Sequence, residues 1–462
     1  MNELPERWAK ATLADLTEVI KNGLVSDQNK EGNGFAVTRI ETIAQGTINE
    51  KRLGYSADSS AEAIEGYRLM PGDILFSHIN SPAHIGKTAV YRGHPSRLYH
   101  GMNLLLIRSN MSIICPYYLE YGLKYLRMTG IFELNAQHAV NQASINQKKL
   151  KSFELPLAPF NEQKRIADKL DHLLAVVDSC KTRLDTIPGI IKRFRQSVLA
   201  AATSGELTKD FRIDASENIQ TASVEEPYSH KITAPSTWKQ TTLGDVCEFV
   251  GGSQPPKSTF QSEAGTGLIR LIQIRDYKSD RYLTYIPTSL ARRFCTKDDV
   301  MIGRYGPPIF QILRGLEGAY NVALMKAVPR TETLNREYLY YFLQGEQLLR
   351  FVESGSDRTA GQDGVRKELV NRYPFFLPSG NEQREIVRRI EALFDVAERL
   401  EARYQAARVQ VDQLTPSLLA KAFRGELVPQ DPNDESAKKL LERIRSAQAK
   451  SGTAKTAKRQ PK

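Results

Sequence analysis

The sequence predicts an α+β protein built as an internal repeat, in which two similar mixed α/β domains are joined by two long antiparallel coiled-coil helices. Three observations predict this fold class. One stretch of the chain recurs 220 positions later without a gap, each copy carries a heptad stripe, and short strand and helix patterns precede each copy. Antiparallel pairing of duplicated helices would relate the two halves by a pseudo-two-fold axis.

The repeat is clearest around two Asn-Glu-Gln motifs. NEQKRIADKLDHLL begins at Asn161 and NEQREIVRRIEALF begins at Asn381. The alignment continues without a gap to the Gly-Glu-Leu sequences at 205–207 and 425–427. A match of this length indicates duplication, and a repeat has to be recognised before any fold is assigned.

Each copy carries apolar residues in alternating steps of four and three, the spacing of a coiled coil rather than of a helix lying on a globular core. The first stripe is Ile166, Leu170, Leu173, Val177, Cys180, Leu184, Ile187, Ile191, Phe194 and Val198. The second stripe is Ile386, Ile390, Leu393, Ala397, Leu400, Tyr404, Ala407, Val411, Leu414 and Leu418. Pro188 interrupts the first stripe without shifting its phase, which predicts a kink with the apolar seam preserved.

Both helices have matching end signals. Asn161 and Asn381 suit the N-cap position, where a side-chain oxygen accepts a free backbone N–H. Gly205 and Gly425 lie where a left-handed residue would end each helix.

The segments before the repeats correspond more loosely. Trp8 matches Trp238, and Asp73-Ile74-Leu75 matches Asp299-Val300-Met301, at offsets that drift because the loops differ in length. Strands are predicted in FAVTRIETI, GDILFSHI, KTAVYR, NLLLIRS, GLIRLIQI, DDVMIGRY, GAYNVALMKAV and YPFFLP, and short helices in PYYLEYGLKYL and REYLYYFLQ. The predicted organisation is a first variable domain, a long helix, a polar linker, a second variable domain, a long helix and a basic flexible tail, at 1–158, 159–205, 206–235, 236–378, 379–426 and 427–462.

Composition narrows the function classes. The formal net charge of +11 favours an acidic partner such as nucleic acid, although six of those charges lie from Asp434 onward. No apolar stretch approaches the roughly 20 residues of a membrane helix, so we expect a cytoplasmic protein outside the membrane. The histidines and the four scattered cysteines lack metal-ligand spacing, which predicts no metal site.

Several of these segments resemble one family. The paired stretches LPLAPFNEQKRIADKLDHLL and FFLPSGNEQREIVRRIEALF, the helix ends FRQSVLAAATSGEL and LTPSLLAKAFRGEL, and the stretch GDILFSHINSPAHIGKTAVY resemble the specificity subunit of type I restriction-modification enzymes. The resemblance covers nearly the whole chain. The second domain departs from it in its loops, as expected if the two domains read different sequences.

The resemblance implies a non-catalytic subunit with two target-recognition domains. Each domain would read one half of a bipartite asymmetric site in double-stranded DNA, and the long helices would be the spacer and docking surface. The implied partners are two modification subunits that methylate adenine and restriction subunits that translocate and cut. S-adenosylmethionine, ATP and magnesium would bind to those partners, and this chain would bind no cofactor.

Base reading needs side chains with forked or paired donors and acceptors at strand ends and in polar loops. The candidates are Arg39, Ser77, His78, Asn80, Lys87, Asn103, Asn141, Gln142, Gln273, Arg275, Arg304, Tyr305, Arg314, Gln362 and Arg366. For each, the alternative is a solvated or turn-stabilising side chain. Two other functions stay open: a coiled-coil scaffold that does not read DNA, and a stand-alone nuclease, for which Asp276-Tyr277-Lys278 is a fragment of an acidic-x-Lys pattern.

Overall fold

The computed structural model describes residues 3–57, 64–140, 142–212, 218–359 and 362–446. The chain divides into two compact units. The first contains Met1–Asp185 and Ala406–Lys462, and the second contains Thr186–Gln405. Each unit therefore holds one predicted domain and part of each long helix.

The first unit is a mixed domain, as its patterns predict. Its strands are Ala9–Thr12, Thr17–Asn22, Phe35–Val37, Gly54–Ser56, Ile74–Phe76, Ile79–Asn80, Thr88–Val90, Leu105–Ser109, Gln137–Ala139, Gln142–Ser144 and Glu154–Leu157. Its short helices are Leu13–Leu16, Pro116–Met128, Ile131–Leu134 and Gln147–Lys151, with 3₁₀ turns at Ile40–Ile43, Glu50–Arg52 and Pro82–His84.

The second unit has the same mixture of elements. Its strands are Ile219–Val224, His230–Pro235, Lys239–Thr242, Cys247–Gly251, Leu268–Ile272, Tyr285–Pro287, Phe294–Cys295, Val300–Gly303, Gln311–Leu313, Gly318–Tyr320, Leu324–Pro329, Asp357–Thr359, Gln362–Gly364 and Pro374–Leu377. Its short helices are Leu243–Val246, Arg336–Leu343, Glu346–Ser354 and Lys367–Asn371, with 3₁₀ turns at Glu206–Phe211, Lys257–Thr259, Ile274–Tyr277, Asp280–Tyr282 and Thr288–Leu290.

A four-stranded antiparallel sheet with one topology forms the centre of both domains. In the first, the strand order is Thr17–Asn22, Leu105–Ser109, Ile74–Phe76 and Thr88–Val90. In the second, it is Cys247–Gly251, Leu324–Pro329, Val300–Gly303 and Gln311–Leu313. The register agrees as well, because Ile74 pairs with Ile107 and Val300 pairs with Ala327. The duplication inferred from the helices therefore includes the variable domains.

The long helices are Phe160–Ser204 and Gly380–Phe423. They run antiparallel where they pair within each unit. In the first unit Lys181 lies 3.7 Å from Asp412, and Asp185 pairs with Arg408. Residue numbers therefore rise along one helix as they fall along the other, which is the pattern of an antiparallel pair. In the second unit Arg195 pairs with Glu401 at 3.3 Å. The predicted fold class is confirmed.

The heptad seam is covered unevenly. Ile166 and Leu170 are buried near the first domain, and Ile386 and Ile390 near the second. Leu400, farther along the second helix, is 47% exposed. Ala397, one stripe position before Leu400, is also buried, so exposure varies from one seam position to the next.

The predicted helix ends are half right. Gly205 and Gly425 have the expected left-handed conformation, with φ of 81° and 79°. The predicted N-caps are wrong, since Asn161 and Asn381 lie inside the first turn of helices that begin one residue earlier. The first helix also continues through Pro188, and the seam residue Ile191 beyond it is buried.

The predicted polar linker and the predicted flexible tail are both folded in part. The polar linker contains the 3₁₀ turn Glu206–Phe211 and a hairpin of Ile219–Val224 with His230–Pro235. The predicted flexible tail is helical over 437–446, with Ala437, Leu440 and Leu441 buried. Both segments carry apolar residues that pack on the neighbouring domain, although the segments are polar overall.

In the described part of the chain no helix is long and apolar enough to cross a membrane.

The duplicated Asn-Glu-Gln motif fastens each long helix to its domain through its glutamine. The Gln163 side chain accepts the backbone N–H of Cys115 at 2.8 Å and donates to the carbonyls of Ile113 and Ala158 at 3.1 and 2.9 Å. The Gln383 side chain makes the equivalent bonds, to residues 335, 333 and 378, at 2.7, 2.8 and 2.9 Å. A buried amide with its donors and acceptor satisfied defines a single orientation for the helix start.

The glutamate of the motif accepts a hydrogen bond from the duplicated tryptophan. Trp8 Nε1 donates to Glu162 at 3.2 Å, and Trp238 Nε1 donates to Glu382 at 2.9 Å. We call these two interactions the Trp–Glu contacts. They explain why the tryptophan recurs in the two copies although much of the sequence between it and the helix differs.

Candidate nucleic-acid interface

A hairpin packs against the end of the third strand of the central sheet in each domain. In the first domain the hairpin pairs Gln137–Ala139 with Gln142–Ser144 and continues onto Ile79–Asn80. In the second domain it pairs Asp357–Thr359 with Gln362–Gly364. We call the strand end with its hairpin the ribbon edge, formed by 77–80, 137–140 and 142–144 in the first domain and by 303–306, 357–359 and 362–364 in the second.

The two ribbon edges have the same backbone connections. The N–H of Ile145 donates to the carbonyl of His78 at 2.9 Å, and the N–H of Val365 donates to the carbonyl of Arg304 at 3.0 Å. One residue farther along each strand, Ser144 pairs with Ile79 and Gly364 pairs with Tyr305. The frame is retained while the side chains on it differ.

Four predicted residues meet at the first ribbon edge: Ser77, His78, Asn80 and Gln142. Asn80 donates to the hydroxyl of Ser77 at 3.0 Å, and Gln142 is exposed on the hairpin. Burial lowers the pKa of His78 to about 4, so its imidazole is neutral near pH 7. Asn141 lies outside the described residues.

The other candidates of the first domain lie elsewhere. Lys87 donates from Nζ to the carbonyl of Ala44 at 2.8 Å, so its ammonium group is bonded within the domain. Burial, followed by the nearby Arg127, lowers the pKa of Lys87. Arg39 pairs with Glu41 at 3.1 Å, and Asn103 is exposed in a turn with φ of 66°.

The second ribbon edge borders a cavity of about 370 Å³. Its lining includes Gly251, Arg304, Gly364, Arg366, Lys367 and Glu368. The guanidinium group of Arg304 lies 5.3 Å from the ring centroid of Tyr305 and makes one long hydrogen bond of 3.5 Å, to the carbonyl of Val322. Arg366 donates twice to the carbonyl of Gly355, at 3.1 and 2.6 Å. The backbone of Gln362 lies in the hairpin.

The remaining candidates of the second domain lie outside this cavity. Gln273 and Arg275 both donate to the hydroxyl of Thr284, at 3.0 and 3.4 Å. Arg314 pairs with Glu337, and its guanidinium group lies 4.1 Å from the ring centroid of Tyr340. A neighbouring carboxylate therefore compensates its charge.

The acidic-x-Lys fragment has a structural use. A carboxylate oxygen of Asp276 accepts the backbone N–H of Gln273 at 3.0 Å, and the residue is buried. Burial raises the pKa of Asp276, which makes the ion less favourable there. Over the described ranges, no group of three or more His, Cys, Asp and Glu side chains is placed to hold a metal ion.

Sequence reasoning missed the ribbon edge as a unit. One signal was present, because Gln142 and Gln362 are separated by the same 220 positions as the helix repeats. The alignment could have been extended backward from the helices through the hairpins. The contact between hairpin and strand end joins distant parts of the chain, which periodicity does not report.

The model of the type I restriction modification DNA specificity domain matches residues 5–188 and 235–407. The chain belongs to this family. The two matched ranges correspond to the two units of the repeat, and the resemblance seen in the sequence is confirmed.

Relatives cover nearly the whole chain. A putative type I restriction enzyme specificity subunit of Methanocaldococcus jannaschii is 34% identical over 86% of this chain and 89% of its own length. The EcoBI specificity subunit of Escherichia coli is 30% identical over 98% of this chain and 95% of its own length. A chain in a solved structure of a type I R-M system matches with a TM-score of 0.65 and 17% identity over 92% of this chain and all of its own length, which supports the fold.

Proposed function

We propose that this type I specificity subunit reads a bipartite asymmetric site in double-stranded DNA, with one ribbon edge for each half-site. The observation that carries the proposal is the repeated ribbon edge, in which the same backbone frame presents different side chains. A reader of two unlike half-sites requires this combination, since the frame sets the approach to DNA and the side chains select the bases.

The geometry of a two-stranded ribbon supports the proposal. The major groove of B-DNA admits such a ribbon, and each base pair presents a distinct pattern of donors and acceptors there. In the first hairpin Gln137, His138 and Gln142 are exposed. The second ribbon edge has Arg304 beside its cavity. Polar, exposed side chains on a two-stranded hairpin suit direct reading of base edges.

The proposal assigns the chemistry to partner subunits. Two modification subunits would methylate adenine with S-adenosylmethionine, and restriction subunits with ATP and magnesium would translocate and cut, in the cytoplasm. The repeat supports two equal docking surfaces: Val176 and Val396 occupy matched positions on the two long helices and are 50% and 39% exposed. In this assembly the chain itself supplies recognition and no chemical step.

Binding of the full chain to a pool of random-sequence duplex DNA, at several salt concentrations, tests the proposal. We expect affinity to fall steeply with salt, because phosphate contacts release counterions. Sequencing of the bound duplexes should give two specified half-sites separated by unspecified positions. Binding without sequence preference, or no salt-sensitive binding, would support a scaffold instead. Cleavage by the chain alone with magnesium would indicate a nuclease.

A further inference from the structure

His78 and Arg304 occupy the same position in the two domains. Each follows the third strand of the central sheet, and each carbonyl accepts the N–H of the residue after the hairpin, Ile145 or Val365. The following residues, Ile79 and Tyr305, pair with equivalent hairpin positions. Strand, hairpin and connecting hydrogen bond all agree, so the equivalence does not depend on the loosely aligned sequence.

The two side chains at this position have different chemistry. Arg304 carries a fixed positive charge and a planar fork of donors, of which the described protein groups use one in a long hydrogen bond. His78 is an imidazole whose Nδ1 is buried without a hydrogen-bond partner in the described part of the domain. Because burial holds its pKa at about 4, His78 presents an uncharged ring at neutral pH.

The space beside the side chain also differs between the two domains. Gly251, on the strand next to Leu324–Pro329, lines the cavity beside Arg304 and has no side chain to fill it. The corresponding strand residue in the first domain is Asn22, since Asn22 pairs with Leu105 as Gly251 pairs with Met325. The second domain therefore has open space beside a guanidinium group that, among the described residues, makes a single long hydrogen bond and lies over the Tyr305 ring.

We propose that this shared position determines specificity in both domains, with Arg304 selecting guanine in one half-site and His78 making an uncharged contact in the other. Arginine pairs in a fork with O6 and N7 of guanine, a pattern that the other base pairs do not present. The inference rests on the proposed function, because it names the residue through which each ribbon edge distinguishes its half-site.

Reciprocal substitutions in the full chain test the inference, with sequencing of the duplexes selected from the random pool. Arg304→His should reduce the preference for guanine at one base pair about 10- to 100-fold, leaving the other half-site unchanged. Arg304→Lys keeps the charge without the planar fork and should weaken that preference less than Arg304→His does. His78→Arg should create a guanine preference at one base pair of the other half-site.

Two controls place the same exchanges away from the ribbon edges. Arg350→His removes an arginine that pairs with Glu346, and His172→Arg adds one on an exposed helix position. Both should leave the selected sequence unchanged. Equal loss of affinity for all sequences in both Arg304 variants, or an unaltered selection, would overturn the inference while the proposed function stands. A wild-type chain that selects no sequence would overturn the proposed function itself.

Discussion

The two Trp–Glu contacts use the same pair of side chains in different electrostatic surroundings. In the second domain Glu382 accepts hydrogen bonds from Trp238 and Thr208, at 2.9 and 2.8 Å, and pairs with the buried Arg212. In the first domain Glu162 accepts from Trp8, and its Oε1 atom is buried with no hydrogen-bond partner in the described part of the unit.

The difference arises from the segments that follow the long helices. Thr208 and Arg212 come directly after the first helix, and the positions 220 residues later are Val428 and Pro432. The C-terminal segment instead places Asp434 at the start of the first helix, where it pairs with Arg165 at 2.8 Å. Burial, reinforced by the charge of Asp434, raises the pKa of Glu162 to about 7. A duplicated motif can thus keep its geometry while its charge state changes with its neighbours.

Glu382→Gln should show the largest difference in stability between the two Trp–Glu contacts. It retains an acceptor for Trp238 but replaces the carboxylate that pairs with Arg212, whose side chain is 8% exposed, by a neutral amide. Removal of one partner from a buried ion pair costs about 3 kcal/mol of unfolding free energy. Hydrogen exchange should show faster opening in peptides of the second domain. Glu162→Gln at pH 7.5 is the matched control and should not destabilise the first domain; equal destabilisation by the two variants would refute the difference between the contacts.

The pH dependence of the first domain should reveal the raised pKa of Glu162. Its folded pKa of about 7 lies above the ordinary value of 4.5, so the related stability is complete below about pH 4.5 and is lost as the pH rises through 7. Glu162→Gln mimics the protonated carboxyl. It should be only slightly more stable than the wild type at pH 5, just above the ordinary value of 4.5, and clearly more stable at pH 8, by about 2 kcal/mol once solvent screening is allowed for. Urea unfolding at both pH values, followed by Trp8 fluorescence in Trp238→Phe backgrounds, measures this difference. A constant difference between pH 5 and pH 8 would exclude the titration.

Thr208→Val makes the second contact more like the first with a smaller change. The substitution is close in shape and removes one buried hydroxyl that donates to Glu382 at 2.8 Å. We expect a loss of about 1 kcal/mol in the second domain, because Arg212 still compensates the carboxylate. The same urea titration, with Trp238 as the probe in a Trp8→Phe background, measures it. A loss as large as that of Glu382→Gln would show that the hydroxyl, rather than the ion pair, stabilises the carboxylate.

The sequence predicted what local patterns determine. Heptad spacing located both long helices, and Gly205 and Gly425 marked their ends, because periodicity and backbone conformation are properties of neighbouring residues. It missed the role of Glu162 and Glu382, which depends on tryptophans far away in the chain. It also missed the ribbon edge, where Ile145 meets His78. The same limit applied to the C-terminal segment, whose packing on the first domain no local pattern indicates.

The sequence predicted the DNA-contact candidates by residue type, but it could not predict which of them lie together. The sequence supplied residue types that can read bases, and the structure gathered Ser77, His78, Asn80 and Gln142 at one edge. In the structure, Lys87 donates to the carbonyl of Ala44 within its own domain. The residue type alone could not indicate this hydrogen bond. Contact with DNA by any of these residues remains a prediction.

Exchange of residues 1–155 for the corresponding segment of another family member tests most directly the claim that one duplicated frame carries two independent readers. The chimaera and the wild type would be compared in the same selection from random duplex DNA. We expect one half-site to change while the other half-site keeps its sequence. A change in both half-sites would contradict it, because the two domains would then read DNA jointly.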